Sequence, residues 1–152
     1  MGPLHDRAPC GPGGERFAVA IPSDVGRIEG VVEQVVARCV ARDYPRQACA
    51  LNVPVALTEA LANAIVNGNG EDAAKRVEVR GCLDDRELVL EVHDEGAGFD
   101  LTASTNAPDD PDFVLREDGR GLFLMQALMD RVEQYAAPRA GNVVRLTLRR
   151  TA

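Results

Sequence analysis

Apolar and polar positions alternate or recur in distinct registers along the chain, and each register predicts an element. Glu15 to Ile21 (ERFAVAI) alternates and reads as a short strand closed by Pro22. Beyond it, Ile28, Val31, Val32, Val35, Val36, Cys39 and Val40 recur at intervals of three and four. That spacing predicts an amphipathic helix, capped by Ser23 or Asp24 and ended before Tyr44-Pro45. A second helix is expected from Asn52, as its cap, to about Asn67, with Pro54 in the first turn and Gly68 as the stop. Residues 75–83 and 86–94 alternate and predict two strands joined tightly at Asp84-Asp85. Periodicity then disappears over residues 95–119, which are rich in Gly, Pro, Asp and Asn. A stretch of that length inside a compact domain reads as a functional loop or lid. A third helix is expected from about Arg120 to Met129, and two last strands near 132–137 and 142–149, separated by Pro138 to Gly141.

The order is therefore β-α-α-β-β-lid-α-β-β. It predicts an α+β protein, a two-layer sandwich of a mixed, mostly antiparallel sheet covered on one face by helices. Residues 1–14, with four Gly and three Pro, show neither period and are set aside as a disordered tail, leaving one domain over 15–150. At 152 residues, 45% hydrophobic and 27% charged, the chain has the material for a single core. The formal charge of −7 argues against direct contact with nucleic acid, and six aromatic residues (two Tyr, four Phe) leave little for base-stacking shelves. The four cysteines form no C-x2-C pair, so a zinc site is not expected. With no signal peptide and no apolar run near 18 residues seen, the expectation is a reduced, cytoplasmic protein away from membranes.

Three segments carry candidate chemistry. On the second helix, Glu59, Asn63 and Asn67 fall one turn apart and share a face opposite Leu57, Leu61, Ala64 and Ile65. A carboxylate and a carboxamide so placed offer hard oxygen ligands of the kind Mg²⁺ shares with phosphates and water, and a solvated helix face has the same spacing. The second segment is Asp94-Glu95-Gly96-Ala97-Gly98-Phe99-Asp100, where an apolar strand ends at an acid and turns through glycines that let a ligand approach the backbone. In the third, Gly119-Arg120-Gly121-Leu122 reads as a Gly-x-Gly opening a helix, whose unpaired N–H groups favour phosphate. It is neither a Walker loop nor a dinucleotide fingerprint, since no G-K-[ST] follows and no strand precedes it.

In this order, residues 57–69 (LTEALANAIVNGN), 94–100 (DEGAGFD) and 119–130 (GRGLFLMQALMD) resemble the N, G1 and G2 boxes of the GHKL ATPases. More narrowly, they resemble the bacterial anti-sigma factor serine/threonine kinases. The resemblance implies a histidine-kinase-like ATPase (Bergerat) fold and a kinase that moves the ATP γ-phosphate to Ser or Thr of a STAS-type anti-sigma antagonist, regulating a sigma factor by partner switching. It implies Glu59 as general base, Asn63 as the Mg²⁺ ligand and Asp94 as the acceptor for the adenine amino group. Gly96, Gly98 and Phe99 would line the base, Gly119, Arg120, Gly121 and Leu122 would close on the phosphates, and Asn67 and Asn142 would complete the ATP site. Two positions depart from the family pattern, Asn67-Gly68 for His-Gly and Gly141-Asn142 for Gly-Thr. The alternative is a nucleotide-gated module that captures a sigma factor or other partner without phosphorylating it. The apolar stripe Ile28 to Val40 serves either the core or a homodimer.

Overall fold

The computed structural model describes residues 13–96, 117–136 and 141–151. Five strands form one sheet in the order β1-β2-β3-β5-β4: β1 (Glu15–Pro22), β2 (Arg76–Leu83), β3 (Glu87–His93), β4 (Arg131–Ala136) and β5 (Asn142–Arg149). Each described pairing is antiparallel, in keeping with the mostly antiparallel sheet expected. Three helices pack on it: α1 (Ile28–Ala41), α2 (Val53–Asn63) and α3 (Glu117–Leu128).

The two-residue period of the strands decides which face the helices cover. Val79, Val92 and Val144 stand opposite one another across β2, β3 and β5, and Leu90 and Leu146 form the next row. Together with Leu57, Leu61 and Ile65 of the second helical segment and Val31, Val35 and Cys39 of α1, they make the core. The apolar stripe of α1 up to Cys39 is thus spent on the core, while Val40 stays exposed. Burial pushes the Cys39 thiol up to about 12, so it serves as a small apolar side chain.

Several boundaries differ from the pattern-based expectation. Asp24, not Ser23, caps the first helical turn by accepting the Gly26 N–H at 2.9 Å, and a short 3-10 turn, Val25–Arg27, precedes α1. Asn52 is not a cap. Helical backbone already begins at residue 46 and passes through a wide π turn, Ala48–Asn52, before α2. Pro54 therefore sits inside a continuous helix, just after a turn whose wider spacing accommodates its missing N–H. The Asn52 amide is used elsewhere, donating to the Leu128 carbonyl at 2.7 Å and fastening α2 to the far end of α3. A second π turn, Ala64–Gly68, prolongs α2 to the stop expected at Gly68.

The run Ala48–Gly68 is as long and apolar as a membrane span, a stretch that the expectation of no such run overlooked. Its apolar residues Val53, Ala56, Leu57, Ala60 and Leu61 are packed in the core. The cysteines also differ from the all-reduced expectation: Cys39 and Cys49 are free, and Cys82 is disulfide-bonded.

Candidate functional site

The three segments singled out in the sequence meet at one end of the sandwich. Along the second helical segment, exposure grows with distance from the core. Asn63 is 7% exposed, Glu59 is half-buried and Asn67 is exposed. Asn67 Nδ2 donates to Asn63 Oδ1 at 3.4 Å, whereas the Asn63 amide nitrogen is buried without a partner. Burying a donor unpaired is costly, so the atom marks a place where something polar is missing.

Helix α3 crosses α2 at this point, with Gly121 at the contact. A Cβ there would lie 3.0 Å from Glu59 Oε2 and 3.5 Å from Asn63 Nδ2. The expectation that Gly119-Arg120-Gly121 opens the helix is shifted, because α3 already begins at Glu117. Gly119 falls in its first turn, where backbone N–H groups lack helical acceptors, while Gly121 lies deeper and acts by being small. Leu122 is buried in the core. Gly98 and Phe99 lie outside the described residues.

Asp94 follows the last residue of β3 and is 5% exposed. Its Oδ1 accepts the Gly96 N–H at 3.0 Å, and its own N–H donates to the Asn142 carbonyl at 3.0 Å. Burial pushes its carboxyl pKa up, and the backbone bonds from Gly96 and Asn142 oppose the shift. The turn it opens lies tight against the end of α2. A Cβ on Gly96 would overlap the Gly68 carbonyl, one on Gly68 would overlap the Asp94 carboxylate, and one on Gly141 would overlap the Asp94 carbonyl. Gly96 thus serves first to let the turn approach the helix.

Two asparagines at this end behave differently from their sequence context. Asn142, 5% exposed, accepts from Gln134 Nε2 at 3.0 Å through Oδ1 and has no partner for Nδ2. Asn69, buried at the end of the Asn-Gly-Asn turn, was not singled out in the sequence. Its Nδ2 donates to Ser23 Oγ at 2.9 Å and to the Arg76 carbonyl at 3.0 Å, and its Oδ1 accepts the Glu95 N–H at 2.8 Å. Nothing in the sequence separates it from an ordinary turn asparagine, because its partners come from the turn after β1, from β2 and from the Asp94 turn. Ser23, in turn, donates to the Lys75 carbonyl at 2.7 Å.

His93 lies on the other face of the sheet, where its Nε2 is 2.9 Å from Glu91 Oε1. Glu91 is fully buried there, held by Arg145 Nη2 at 2.7 Å and by the Tyr135 hydroxyl at 2.7 Å.

Helices on one face of an antiparallel sheet, with unpaired buried amides and a buried carboxylate gathered at one end, define a ligand-binding α+β sandwich. The model of the histidine kinase-like ATPase domain matches residues 21–148, and the chain belongs to that family. It is similar to the anti-sigma F factor of Bacillus velezensis, at 28% identity over 82% of this chain and 86% of the relative. The anti-sigma F factor of Bacillus subtilis is 27% identical over the same shares. The serine-protein kinase RsbW of Oceanobacillus iheyensis is 30% identical over 54% of this chain and 55% of its own length.

Proposed function

We propose that this chain is an ATP-dependent protein kinase of the anti-sigma factor type. It transfers the γ-phosphate of ATP to a Ser or Thr of an antagonist protein of the STAS type and so controls the release of a sigma factor in the cytoplasm. The observation that carries this reading is the meeting of Glu59 and Asn63 on α2 with Gly121 of α3, on the same helical segment whose end at Gly68 packs against the buried Asp94. The printed names of the relatives, anti-sigma factors and a serine-protein kinase, support the same reading.

Each residue then has a task. Asp94 accepts a hydrogen from the exocyclic amine of adenine, an interaction its ionised form makes best and its burial strengthens. Asn63 would hold a Mg²⁺ that neutralises the phosphate charge. Its side chain fits that task, since the amide nitrogen is unpaired and the oxygen accepts a long bond, so turning the oxygen inward sacrifices little. Among the described residues no group of three or more His, Cys, Asp or Glu could hold a metal, which fits an ion shared with phosphates and water. Glu59 takes the proton of the acceptor hydroxyl as its oxygen bonds to the γ-phosphorus and the bond from phosphorus to the ADP oxygen breaks. The N–H groups in the first turn of α3 face the phosphates.

Phosphotransfer to the antagonist by the Glu59→Ala variant tests the assignment. The variant is expected to bind ATP with Mg²⁺ as the parent does in calorimetry and to lose phosphotransfer by about a hundredfold or more. Transfer at the parent rate would refute the role of Glu59 and favour a nucleotide-gated binding module.

A further inference from the structure

Asp94 and Asn142 face each other across the ends of neighbouring strands. Val92 and Val144 are paired on the helix-covered face of β3 and β5, so the residues two positions on, Asp94 and Asn142, return to that face. The Asp94 N–H to Asn142 carbonyl bond continues the ladder between them. Gly141, at φ +100, brings its backbone against the Asp94 carbonyl where no side chain would fit. Directly opposed side chains on one face have Cβ atoms about 4.5–5.5 Å apart. A buried carboxylate, which as an ion only accepts, thus stands beside a buried amide nitrogen that only donates and has no partner.

Which end of the Asn142 carboxamide faces the site is set by its neighbour. Oxygen and nitrogen occupy equivalent positions on a carboxamide, and a donor on one side forces the nitrogen to the other. Gln134 of β4 supplies that donor, with its Nε2 at 3.0 Å from Asn142 Oδ1.

We infer that Gln134 is a positioning residue that turns the Asn142 amide nitrogen toward the base, so that the site reads two adjacent atoms of the adenine edge. Asp94 accepts from the 6-amino group and Asn142 donates to the neighbouring ring nitrogen, N1. Guanine presents an oxygen to the carboxylate and a hydrogen to the amide, and both contacts become repulsive. The inference rests on the nucleotide reading above and adds to it the source of base selectivity.

Calorimetry of the purified chain with three ligands in Mg²⁺ tests it: ATP, purine riboside triphosphate, which lacks the 6-amino group, and 1-deaza-ATP, in which N1 is replaced by C–H. The parent is expected to bind each analogue about tenfold more weakly than ATP. Gln134→Glu places an acceptor opposite Asn142, draws the amide nitrogen to itself and presents the oxygen to N1. The preference for ATP over 1-deaza-ATP is then expected to vanish while the preference over the purine riboside analogue persists. Asn142→Ala is expected to show the same split, which a general loss of packing would not produce. Should Gln134→Glu lose all three ligands, Gln134→Ala reads the same ratio without adding a charge. Equal binding of ATP and 1-deaza-ATP by the parent, or an unchanged ratio in the Gln134 variants, overturns the inference. Failure of the parent to bind ATP, or its indifference to the 6-amino group, overturns the nucleotide reading itself.

Discussion

At the scale of single residues, the site trades stability for chemistry. The folded state raises the Asp94 pKa through burial, so the fold holds the carboxyl proton more tightly than the unfolded chain does. Its contribution to stability is therefore fullest below the unfolded value of 3.8 and is lost as the pH rises through the folded pKa. Asp94→Asn is expected to melt above the parent at neutral pH, with the gap closing as the pH falls toward 3.8, and to lose ATP affinity at every pH. Thermal melts across the pH range, with calorimetry beside them, check both halves. Gly121 makes the same demand. Gly121→Ala suits a helix better, by up to about 1 kcal/mol, and is expected to keep or raise stability in urea titrations. Its methyl group presses on the Glu59 carboxylate, so phosphotransfer is expected to fall by about tenfold. Helical spacing and a strand-ending acid alone fit a solvated face and a plain turn as well. Glu59, Asn63 and Asp94 stand out in the sequence through the order of their three segments, which the structure brings together. Asn69 and Gln134 were not, because their partners are distant in the chain and turn or strand asparagines and glutamines carry no spacing signal.

At the scale of elements, the apolar period located all five strands and three helices, while the helix starts were misread. A cap rule assigned Asn52 to the start of α2, but helical backbone already begins at residue 46 and leaves its oxygen no free N–H to cap, while its amide nitrogen donates to the Leu128 carbonyl. The Gly-x-Gly was likewise read as opening a helix that in fact begins two residues earlier, since no periodic residue marks Glu117 as helical. What holds this end of these elements together is the Asn69 side chain, joining the turn after β1, the start of β2 and the turn after Asp94. Asn69→Ala leaves the Glu95 N–H and the Arg76 carbonyl without that partner, at an expected cost of about 2–4 kcal/mol in urea denaturation. Because the Asp94 turn loses its tether, ATP affinity is expected to fall along with stability.

At the scale of the whole molecule, the two faces of the sheet are built on different principles. The helix-covered face is aliphatic, whereas the other carries Arg80, Glu91, Arg145 and Glu133 in one row across four strands. At its centre the fully buried Glu91 depends on Arg145 for compensation. Arg145→Met is expected to cost about 3–5 kcal/mol, most of it recovered in the Glu91→Gln/Arg145→Met double variant, as denaturation of the parent and both variants would read. The alternation of the strands made this face look merely polar in sequence, and its ion pair emerges only from the register of β3 against β5. The strand order has a further consequence, for the kinetics of assembly. β2 with β3 and β4 with β5 are local hairpins, but β1 lies at the edge and meets β2 only after the chain has passed through both α1 and α2, where Pro22 comes to face Arg76. Closing that loop costs about as much entropy as the β3–β5 pairing, where His93 meets Val143, but β1 is held by a neighbour on one side alone, so its pairing is expected to come late and its reversal early. Since Ser23, just past the end of β1, is bonded to Asn69, fraying of this edge strand would run inward to the Asp94 turn, making the first step of unfolding also a loosening of the candidate site.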